Sequence, residues 1–236
     1  MNDTIIGSGF MAQNFHDQIQ EMEKLNICLY AAGVSNSQTK DKILLLKDQN
    51  RIIDFSKKFD QKKKLVYLST CCINDPSRNK NPYTKNKLYI ESLIKEKFKK
   101  YLIIRLPEVV GKSDNKISLT NFLYHHIKNK KKFEIWTKTK RNIIDIKDVV
   151  LLTMIVLKNC FPNNKIINIA NSMNYKVREI VESFEKLTNI KANYNLVDKG
   201  DENWQIDISD IFEIIKNNKI KFNEKYLYKT LKKYYF

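Results

Sequence analysis

Tyr83 and Lys87 stand four residues apart in the stretch NPYTKNKLYIESLI, a spacing that could support proton transfer. On a helix, residues four apart lie on one face, so the lysine ammonium comes close to the tyrosine. A nearby cation favours the phenolate, so we expect the tyrosine pKa to fall from about 10 toward neutrality, where proton transfer is efficient. The chain contains 12 tyrosines and many more lysines, so the pair alone could also be an exposed aromatic beside a solvated lysine. The surrounding segments decide between these readings.

Thr70 precedes this pair at the end of the apolar run KLVYLST. A hydroxyl at the end of a strand can hydrogen-bond a substrate oxygen and stabilise its developing charge, although it could also only cap the junction between strand and loop. Cys71 and Cys72 follow directly. The four cysteines lack paired metal-ligand spacing, and His125 and His126 lie in a helical segment without a nearby ligand partner, so we expect no metal site.

The segment TIIGSGFMA places Gly7, Gly9 and Ala12 in G-x-G-x-x-A spacing between an apolar strand and a helix. Glycines let the backbone turn tightly and approach a pyrophosphate, whose charge a helix N-terminus stabilises. An ordinary tight turn is the alternative. One expected feature is missing, because no acid follows about 20 residues on to hold the adenosine ribose; the strand around Leu29 ends in AAGVSNS.

Short apolar runs alternate with helix-periodic segments along the first half of the chain. Strand-like TIIGSG, NICLYAAG, KLVYLST and YLIIRLP are separated by helices from about Phe10, from Asp41 to Phe59 and from near Thr84, and KIINIAN follows later. This alternation predicts an α/β fold with a Rossmann-like, doubly wound parallel sheet. Residues 1–111, with parts of 141–170, form the predicted core. Residues 112–236 form mainly a small substrate-binding lobe, not an independent second domain.

The composition excludes several classes of protein. The 236 residues carry a formal charge of +17, but the lysines are dispersed, which indicates a solvated surface and no nucleic-acid partner. The N-terminal segment lacks the pattern of a signal peptide, and runs such as VVLLTMIVL are too short to cross a bilayer. We expect a cytoplasmic protein without a membrane partner, whose positive field attracts anionic small molecules.

Seven collinear segments resemble the extended short-chain dehydrogenase/reductase family, in particular its nucleotide-sugar epimerases, dehydratases and ketoreductases. They are GSGFMA, AAGVSNS, VYLST, YTKNK, IIRLPEVVG, RNIIDIKDVV and INIANSMNYKVREIVE. The departure lies near the N-terminus, where the AAG strand follows the first helix immediately. A member of the family with this sequence has lost about one β-α-β unit, so the adenosine half of a cofactor is expected to bind weakly.

The resemblance implies NADP or NAD as cofactor and a nucleotide-diphosphate sugar as substrate. It assigns catalysis to Tyr83, Lys87, Thr70 and Cys72. Cofactor contacts are expected from Gly7, Ser8, Gly9, Phe10, Met11, Ala12, Ala31, Ala32, Gly33, Leu68, Tyr83, Lys87, Leu106, Pro107 and Val109. Substrate contacts are expected from Thr70, Cys71, Cys72, Asn121 and Arg141, although Arg141 could equally be a surface cation.

The branch of the family follows from the residues after Thr70. Dehydratases carry an Asp-Glu pair there, whereas this chain has Cys71 and Cys72. GDP-fucose synthases carry a cysteine at the place of Cys72 and use it in epimerisation, but they also need a histidine that SDNKISLTNF lacks. Reduction of a nucleotide-linked 4-keto-6-deoxy sugar, for a surface polysaccharide, is the leading hypothesis. An epimerase with tightly bound NAD, or a non-catalytic cofactor-binding relative, remains open. The helices from Asp41 to Phe59 and from Thr84 to Lys99 resemble those of the family's four-helix interface, so we expect a homodimer.

Overall fold

A computed structural model of the chain describes residues 4–75, 81–113, 115–159, 162–200 and 205–236. The strands are β1 (Ile5–Ile6), β2 (Ile27–Tyr30), β3 (Lys64–Thr70), β4 (Tyr101–Leu106), β5 (Glu108–Val110), β6 (Phe133–Trp136), β7 (Lys140–Asp145), β8 (Lys165–Asn168), β9 (Asn174–Lys176) and β10 (Tyr194–Val197). The α-helices are α1 (Phe10–Phe15), α2 (Ile19–Lys24), α3 (Lys42–Lys58), α4 (Pro82–Lys97), α5 (Leu119–Lys128), α6 (Ile146–Lys158), α7 (Val177–Thr188), α8 (Phe212–Asn217) and α9 (Tyr226–Tyr235).

A five-stranded parallel sheet in the order β1-β2-β3-β4-β8 forms the core. Alternate residues of its central strands point to opposite faces, as the period of a strand requires. On one face Leu29, Val66 and Ile104 pack with α1, α2 and α6. On the other face Tyr30 and Tyr67 pack with α3 and α4. The predicted α/β fold with a helix-covered parallel sheet is confirmed.

The sheet advances in one direction from β1 to β8, with β1 at its edge. The connection from β1 to β2 runs through α1 and α2 on the α6 face, whereas α3 and α4 connect the next strands across the opposite face. The connection from β1 to β2 therefore has the opposite hand to the connections through α3 and α4. Crossover connections between parallel strands of one sheet are almost always right-handed, so connections of both hands in one sheet are unusual. This is the topology expected when a unit is lost between the first helix and the second strand of a doubly wound sheet.

The predicted first helix begins at Phe10, as expected, and is interrupted after Phe15. It consists of α1, a 3-10 turn over His16–Gln18 and α2. Helix α3 also begins where expected, because the Asp41 side chain accepts hydrogen bonds from the N–H groups of Ile43 and Leu44.

Among the described residues, two small sheets pack with three of the helices that follow residue 111 to form the lobe. Strand β5 pairs in parallel with β7, β7 pairs antiparallel with β9, and β6 pairs in parallel with β10. Helices α5, α7 and α9 pack around a second apolar cluster that includes Phe184, Tyr175 and Leu231. Since β5 begins at Glu108, the lobe's sheet starts within the range predicted for the core; the division at 111 and 112 stays a prediction.

Helix α9 is fastened to the segment that leads into α6. Lys233 forms an ion pair of 2.7 Å with Asp145, and the Tyr234 hydroxyl donates to the same carboxylate at 2.5 Å. The Tyr226 hydroxyl donates to Asp148 at 2.6 Å. Helix α9 therefore holds the start of α6 in place. Across the described ranges, each helix is too short or too polar to pass through a bilayer.

Candidate active site

Helix α4 places Tyr83 and Lys87 on its buried face. Asn81 caps the helix by accepting a hydrogen bond of 2.9 Å from the Tyr83 N–H, and Pro82 occupies the first turn, where its missing N–H costs nothing. Tyr83 is 7% exposed and Lys87 is 3% exposed, so neither is a solvated surface residue. The capped start of α4 thus fixes the tyrosine one turn before the lysine.

The Tyr83 side chain lies close to Thr70 at the carboxyl end of β3, near enough for the threonine hydroxyl to lower the pKa of the phenol. The Thr70 hydroxyl oxygen also accepts a hydrogen bond of 3.2 Å from the Cys72 N–H, which fixes its position at the strand end. The structure therefore brings together the tyrosine and the hydroxyl that the sequence singled out. They meet at the edge of the sheet where parallel α/β folds bind their ligands.

The pKa of Tyr83 differs from the expectation. Burial raises it above its usual value, the neighbouring Cys72 raises it further, and the nearby Thr70 hydroxyl lowers it. Burial wins because the phenolate loses its hydration in this environment. The phenol of the free chain is thus held protonated at neutral pH.

Lys87 directs its ammonium to a residue that the sequence did not single out. Its Nζ donates a hydrogen bond of 3.0 Å to the Tyr67 hydroxyl and lies 5.8 Å from the centroid of the Tyr83 ring. Burial lowers the pKa of Lys87, while Asp48 and Glu91 raise it. Tyr67 lies two positions before Ser69 in VYLST, so strand alternation places both on the same face of the sheet. This alternation is the sequence signal that could have identified Tyr67 as a residue of the site.

The glycine turn lies against the end of β2. Gly7 has a φ of +128°, and a Cβ on it would stand 2.8 Å from the Ala31 oxygen and 3.0 Å from the Ala32 nitrogen. A glycine is required there both by conformation and by space. Gly9 is exposed, with open space where a Cβ would be. Its backbone is accessible to a ligand, as a pyrophosphate-binding turn requires.

The remaining predicted cofactor residues lie around the glycine turn and the end of β2. Gly33 lies over Lys87, because a Cβ at Gly33 would stand 2.7 Å from the lysine Nζ. Phe10 packs its ring on Gly111. Several others are buried or packed in the apolar cluster on the α6 face, where they support the site from beneath: Met11, Ala31, Leu68, Leu106 and Val109. Ala12 is buried in α1, Ser8 is exposed and Pro107 is half-buried.

These residues fit one half of a dinucleotide better than the other. Gly9 offers open backbone, and Lys87, with three N–H donors, gives one to Tyr67 among the described residues. On the adenosine side, the end of β2 carries only Ala31, Ala32 and Gly33, and β1 is the edge strand of the described sheet. These residues can hold a nicotinamide ribose and a pyrophosphate, but the described residues at the end of β2 include no acid for the adenosine ribose.

The predicted substrate residues are spread more widely. Cys72 is half-buried beside Tyr83, whereas the buried Cys71 thiol lies 3.9 Å from the Asn168 side chain. Asn121 donates to the backbone oxygens of Ser113 and Asn115 and accepts a hydrogen bond from Tyr235. The side chain of Asn121 therefore fastens its own loop.

Arg141 is half-buried on β7, and its guanidinium donates to the Lys140 oxygen at 3.0 Å. His126 stacks on Phe122 with ring centroids 3.8 Å apart, and His125 is exposed. Within the described ranges, no three His, Cys, Asp or Glu side chains are grouped as a metal site would need. Cys160 lies outside those ranges.

The model of the NAD dependent epimerase/dehydratase family matches residues 28–170, more than half of the chain. The chain belongs to this family. The match begins at Cys28, so it includes Thr70, Tyr83 and Lys87 but not the glycine turn. A comparison with curated proteins found no match.

Solved structures with the same fold come from the nucleotide-sugar branch of the extended short-chain dehydrogenases/reductases. MoeE5 in complex with UDP-glucuronic acid and NAD is 13% identical, with a TM-score of 0.74 and coverage of 97% of this chain and 96% of that one. RMD from Pseudomonas aeruginosa, complexed with NADPH, is 14% identical, with a TM-score of 0.68 and coverage of 88% and 79%. UDP-glucuronic acid 4-epimerase from Bacillus cereus, in complex with UDP-glucuronic acid and NAD, is 16% identical, with a TM-score of 0.67 and coverage of 97% and 87%. At these identities the likeness is one of fold.

Proposed function

We propose that the chain is an NAD(P)H-dependent ketoreductase that acts on a nucleotide-linked 4-keto-6-deoxy sugar. The product would be a sugar for a surface polysaccharide, such as an O-antigen or a capsule. The observation that carries this proposal is that Tyr83 and Thr70 lie together at the carboxyl end of β3, beside the Lys87 ammonium. The family membership and the nucleotide-sugar neighbours support it.

Tyr83 acts as the general acid. As a ketone oxygen gains negative charge, the phenol donates its proton to that oxygen and becomes a phenolate. The Thr70 hydroxyl donates a hydrogen bond to the same oxygen and stabilises the developing charge. The Lys87 ammonium, 5.8 Å from the tyrosine ring, stabilises the phenolate that results.

The bound nicotinamide would supply the hydride for this reduction. Its ribose would lie against Lys87 and Gly33, and its pyrophosphate against the open backbone of Gly9. Leu68 and Leu106, buried below the carboxyl ends of β3 and β4, keep the floor of the site apolar. Lys87 and Tyr83 are themselves buried, and the low dielectric around them strengthens the interaction between the ammonium and the phenolate.

Reduction is proposed ahead of a thiol-dependent epimerisation because SDNKISLTNF lacks the histidine that accompanies the cysteine in that reaction. Burial keeps the phenol of Tyr83 protonated in the free chain, as a general acid must be before it donates its proton. A dehydratase is disfavoured because Cys71 and Cys72 stand where that branch carries Asp and Glu.

Arg141 is proposed to bind the diphosphate of the substrate. It lies on β7, which pairs with β5, the strand that follows β4 after Pro107. A formal charge of +17 gives the molecule a positive field that attracts a nucleotide diphosphate. Cys72 beside Tyr83 would contact the sugar, and Asn121 would shape that side of the site through its loop.

The deciding experiment separates the three alternatives with one preparation. The purified chain is first examined for absorbance at the nicotinamide band, and then mixed with NADPH or NADH and a nucleotide-linked 4-keto-6-deoxy sugar. Consumption of the reduced cofactor that depends on the sugar supports the reductase. Tightly held NAD without net consumption supports the epimerase, and an absence of cofactor binding supports a non-catalytic relative.

A further inference from the structure

A buried polar cluster lies between the sheet and helices α3 and α4, beneath the proposed active site. Lys87 is at its centre and donates to the Tyr67 hydroxyl. Asp48, on α3, is 1% exposed. A buried lysine with a neutral hydroxyl as its hydrogen-bond acceptor is an expensive arrangement unless an anion is nearby. The cluster therefore raises the question of which group keeps Lys87 charged.

Two buried carboxylates are close enough to act on Lys87. Glu91 is already committed, because it accepts hydrogen bonds of 3.0 and 2.7 Å from Arg105 and one of 2.7 Å from Ser69. Asp48 is less committed. Its Oδ2 accepts a hydrogen bond of 3.1 Å from the neutral amide of Asn86, and its buried Oδ1 has no hydrogen-bond partner among the described residues. The charge of Asp48 is thus the less compensated of the two.

Gly33 creates a gap that both groups face. A Cβ built on Gly33 would stand 2.7 Å from the Lys87 Nζ and 3.9 Å from the Asp48 Oδ1. The ammonium and the carboxylate oxygen therefore both lie next to the space that a side chain at Gly33 would fill. The same Oδ1 lies 3.9 Å from the Arg51 Nη1, whose side chain is about half exposed.

We propose that Asp48 is a positioning residue for Lys87, whose carboxylate keeps the buried ammonium charged and directed toward Gly33. The inference rests on the proposed function, in which the Lys87 ammonium stabilises the Tyr83 phenolate. Asp48 itself does not touch the reacting atoms. Asn86 orients the carboxylate and is held in turn by Gln49, which donates a hydrogen bond of 2.7 Å to it.

The electrostatics of the cluster agree with this role. Burial lowers the pKa of Lys87 and Asp48 raises it, ahead of Glu91. An opposite charge within about 4 to 6 Å commonly changes a pKa by roughly 1 to 3. The ionisable groups around Lys87 come from the elements packed on it: Asp48 and Arg51 on α3, Tyr83 and Glu91 on α4, Tyr67 on β3, Tyr30 on β2, and Arg105 on β4, which pairs with Glu91.

A titration of Lys87 in the free chain tests the proposal. The full chain is labelled with carbon-13 at the lysine Cε, and the Lys87 resonance is identified as the one that a Lys87→Arg variant lacks. Asp48→Asn should raise the acid dissociation constant of Lys87 about tenfold or more. The matched control is Asp54→Asn on the same helix, since Asp54 is 69% exposed in its side chain and pairs with Lys57. It should change the constant by less than about twofold.

A second variant changes the constant in the opposite direction. Arg51→Gln removes the cation that competes for the Asp48 carboxylate, so the acid dissociation constant of Lys87 should fall. Because the Arg51 side chain is about half exposed, this variant should fold even if Asp48→Asn does not. A constant that both variants leave within about twofold of the wild-type value overturns the proposal.

The titration needs neither cofactor nor substrate. If Asp48→Asn changes the dissociation constant of Lys87 but the wild-type protein consumes no NADPH, the Asp48 coupling is supported and the proposed function is removed. If the wild-type protein is an active reductase but the variants leave the dissociation constant of Lys87 unchanged, only the coupling is overturned. In an active enzyme, Asp48→Asn should also move the alkaline limb of the kcat/KM profile, which a merely structural substitution would lower at all pH values.

Discussion

Tyr83 is the residue on which the proposed chemistry depends most directly. Replacing it with phenylalanine removes the proton donor and leaves the ring that packs in the site. We expect Tyr83→Phe to lower kcat/KM for the keto sugar by about 100-fold or more, with an unchanged unfolding transition. The matched control is Tyr89→Phe, because Tyr89 is on the same helix and 47% exposed. Turnover of the Tyr83 variant within a few-fold of wild type would count against the assignment.

The raised pKa of Tyr83 predicts the pH dependence of reduction. A general acid is active below its pKa, and burial moves that pKa above the usual value of about 10. We therefore expect kcat/KM for reduction to stay level through neutral pH and to fall only in the alkaline range. Measurement of kcat/KM across this range, with protein stability followed in parallel, checks the sign. A fall that begins near neutrality would mean that the phenol is not buried as described.

Cys72 distinguishes reduction from epimerisation. It lies beside Tyr83, where a thiol could exchange a proton with the carbon next to the ketone. Simple reduction does not need that exchange, so Cys72→Ser should keep kcat/KM within about threefold of wild type, as expected for a residue outside the proton-transfer step. Incorporation of deuterium from solvent at the neighbouring carbon, lost in the Cys72 variant, would instead show a thiol-dependent epimerisation.

At the scale of the elements, much of the fold could be read from local patterns. The strands, the caps of α3 and α4 and the glycine turn depend on residues within a few positions, such as Asp41 and Asn81. These signals placed Tyr83, Lys87 and Thr70 correctly in the fold. They are local because capping and strand alternation are determined by neighbouring residues.

Other features depended on contacts between distant segments. The partner of Lys87 is 20 residues away in sequence, on β3, and Asp48 approaches it only because α3 and α4 pack on the same face of the sheet. The pKa of Tyr83 followed burial, which no spacing reveals. The opposite hand of the first connection was likewise invisible, since it depends on which face α1 covers.

The two glycines of the glycine turn have different roles: Gly7 is required by the fold, whereas Gly9 is expected to contact the cofactor. A side chain at Gly7 would clash with β2 and sit at a φ of +128°, so Gly7→Ala should lower the free energy of unfolding by more than about 1 kcal/mol. Gly9 has a φ of −80° and open space around its Cβ position. Gly9→Ala should therefore keep stability within about 0.5 kcal/mol.

The effect on cofactor affinity should be large for Gly9→Ala, the variant that has little effect on stability. The methyl group of Gly9→Ala occupies the surface where a pyrophosphate would approach, so we expect NADPH affinity to fall about tenfold, or 1.4 kcal/mol. Chemical denaturation and NADPH fluorescence titration of both variants measure the two effects separately. Full affinity in Gly9→Ala would place the pyrophosphate elsewhere.

At the scale of the whole molecule, the positive charge and the C-terminal helix act on the site from a distance. The field from a formal charge of +17 raises the local concentration of anionic ligands, and this effect weakens as salt screens it. Helix α9 holds Asp145 and Asp148 at the start of α6 through Lys233, Tyr234 and Tyr226. The lobe and the sheet are thus joined by partly buried polar contacts as well as by packing.

The outer surfaces of α3 and α4 carry exposed apolar side chains, here called the apolar patch, that a second copy could cover. Ile43 is 68% exposed, Leu46 is 55% exposed and Leu88 is 41% exposed, and all three lie on the two helices that cover one face of the sheet. Apolar residues grouped on neighbouring helices mark an interaction surface more often than single exposed ones do. The same two helices were expected from the sequence to form a four-helix interface, so we propose a homodimer through this patch.

Charge placed in the patch tests the proposed homodimer. We expect the wild-type chain to sediment as a dimer at micromolar concentration and the double variant Leu46→Glu, Leu88→Glu to sediment as a monomer, because buried unpaired carboxylates cost several kcal/mol in an interface. Leu151→Glu is the matched control, since Leu151 is 45% exposed but lies on α6, on the opposite face of the sheet. It should leave the dimer intact. A wild-type chain that is monomeric throughout this range would refute the dimer, and a double variant that stays dimeric would move the interface to another surface.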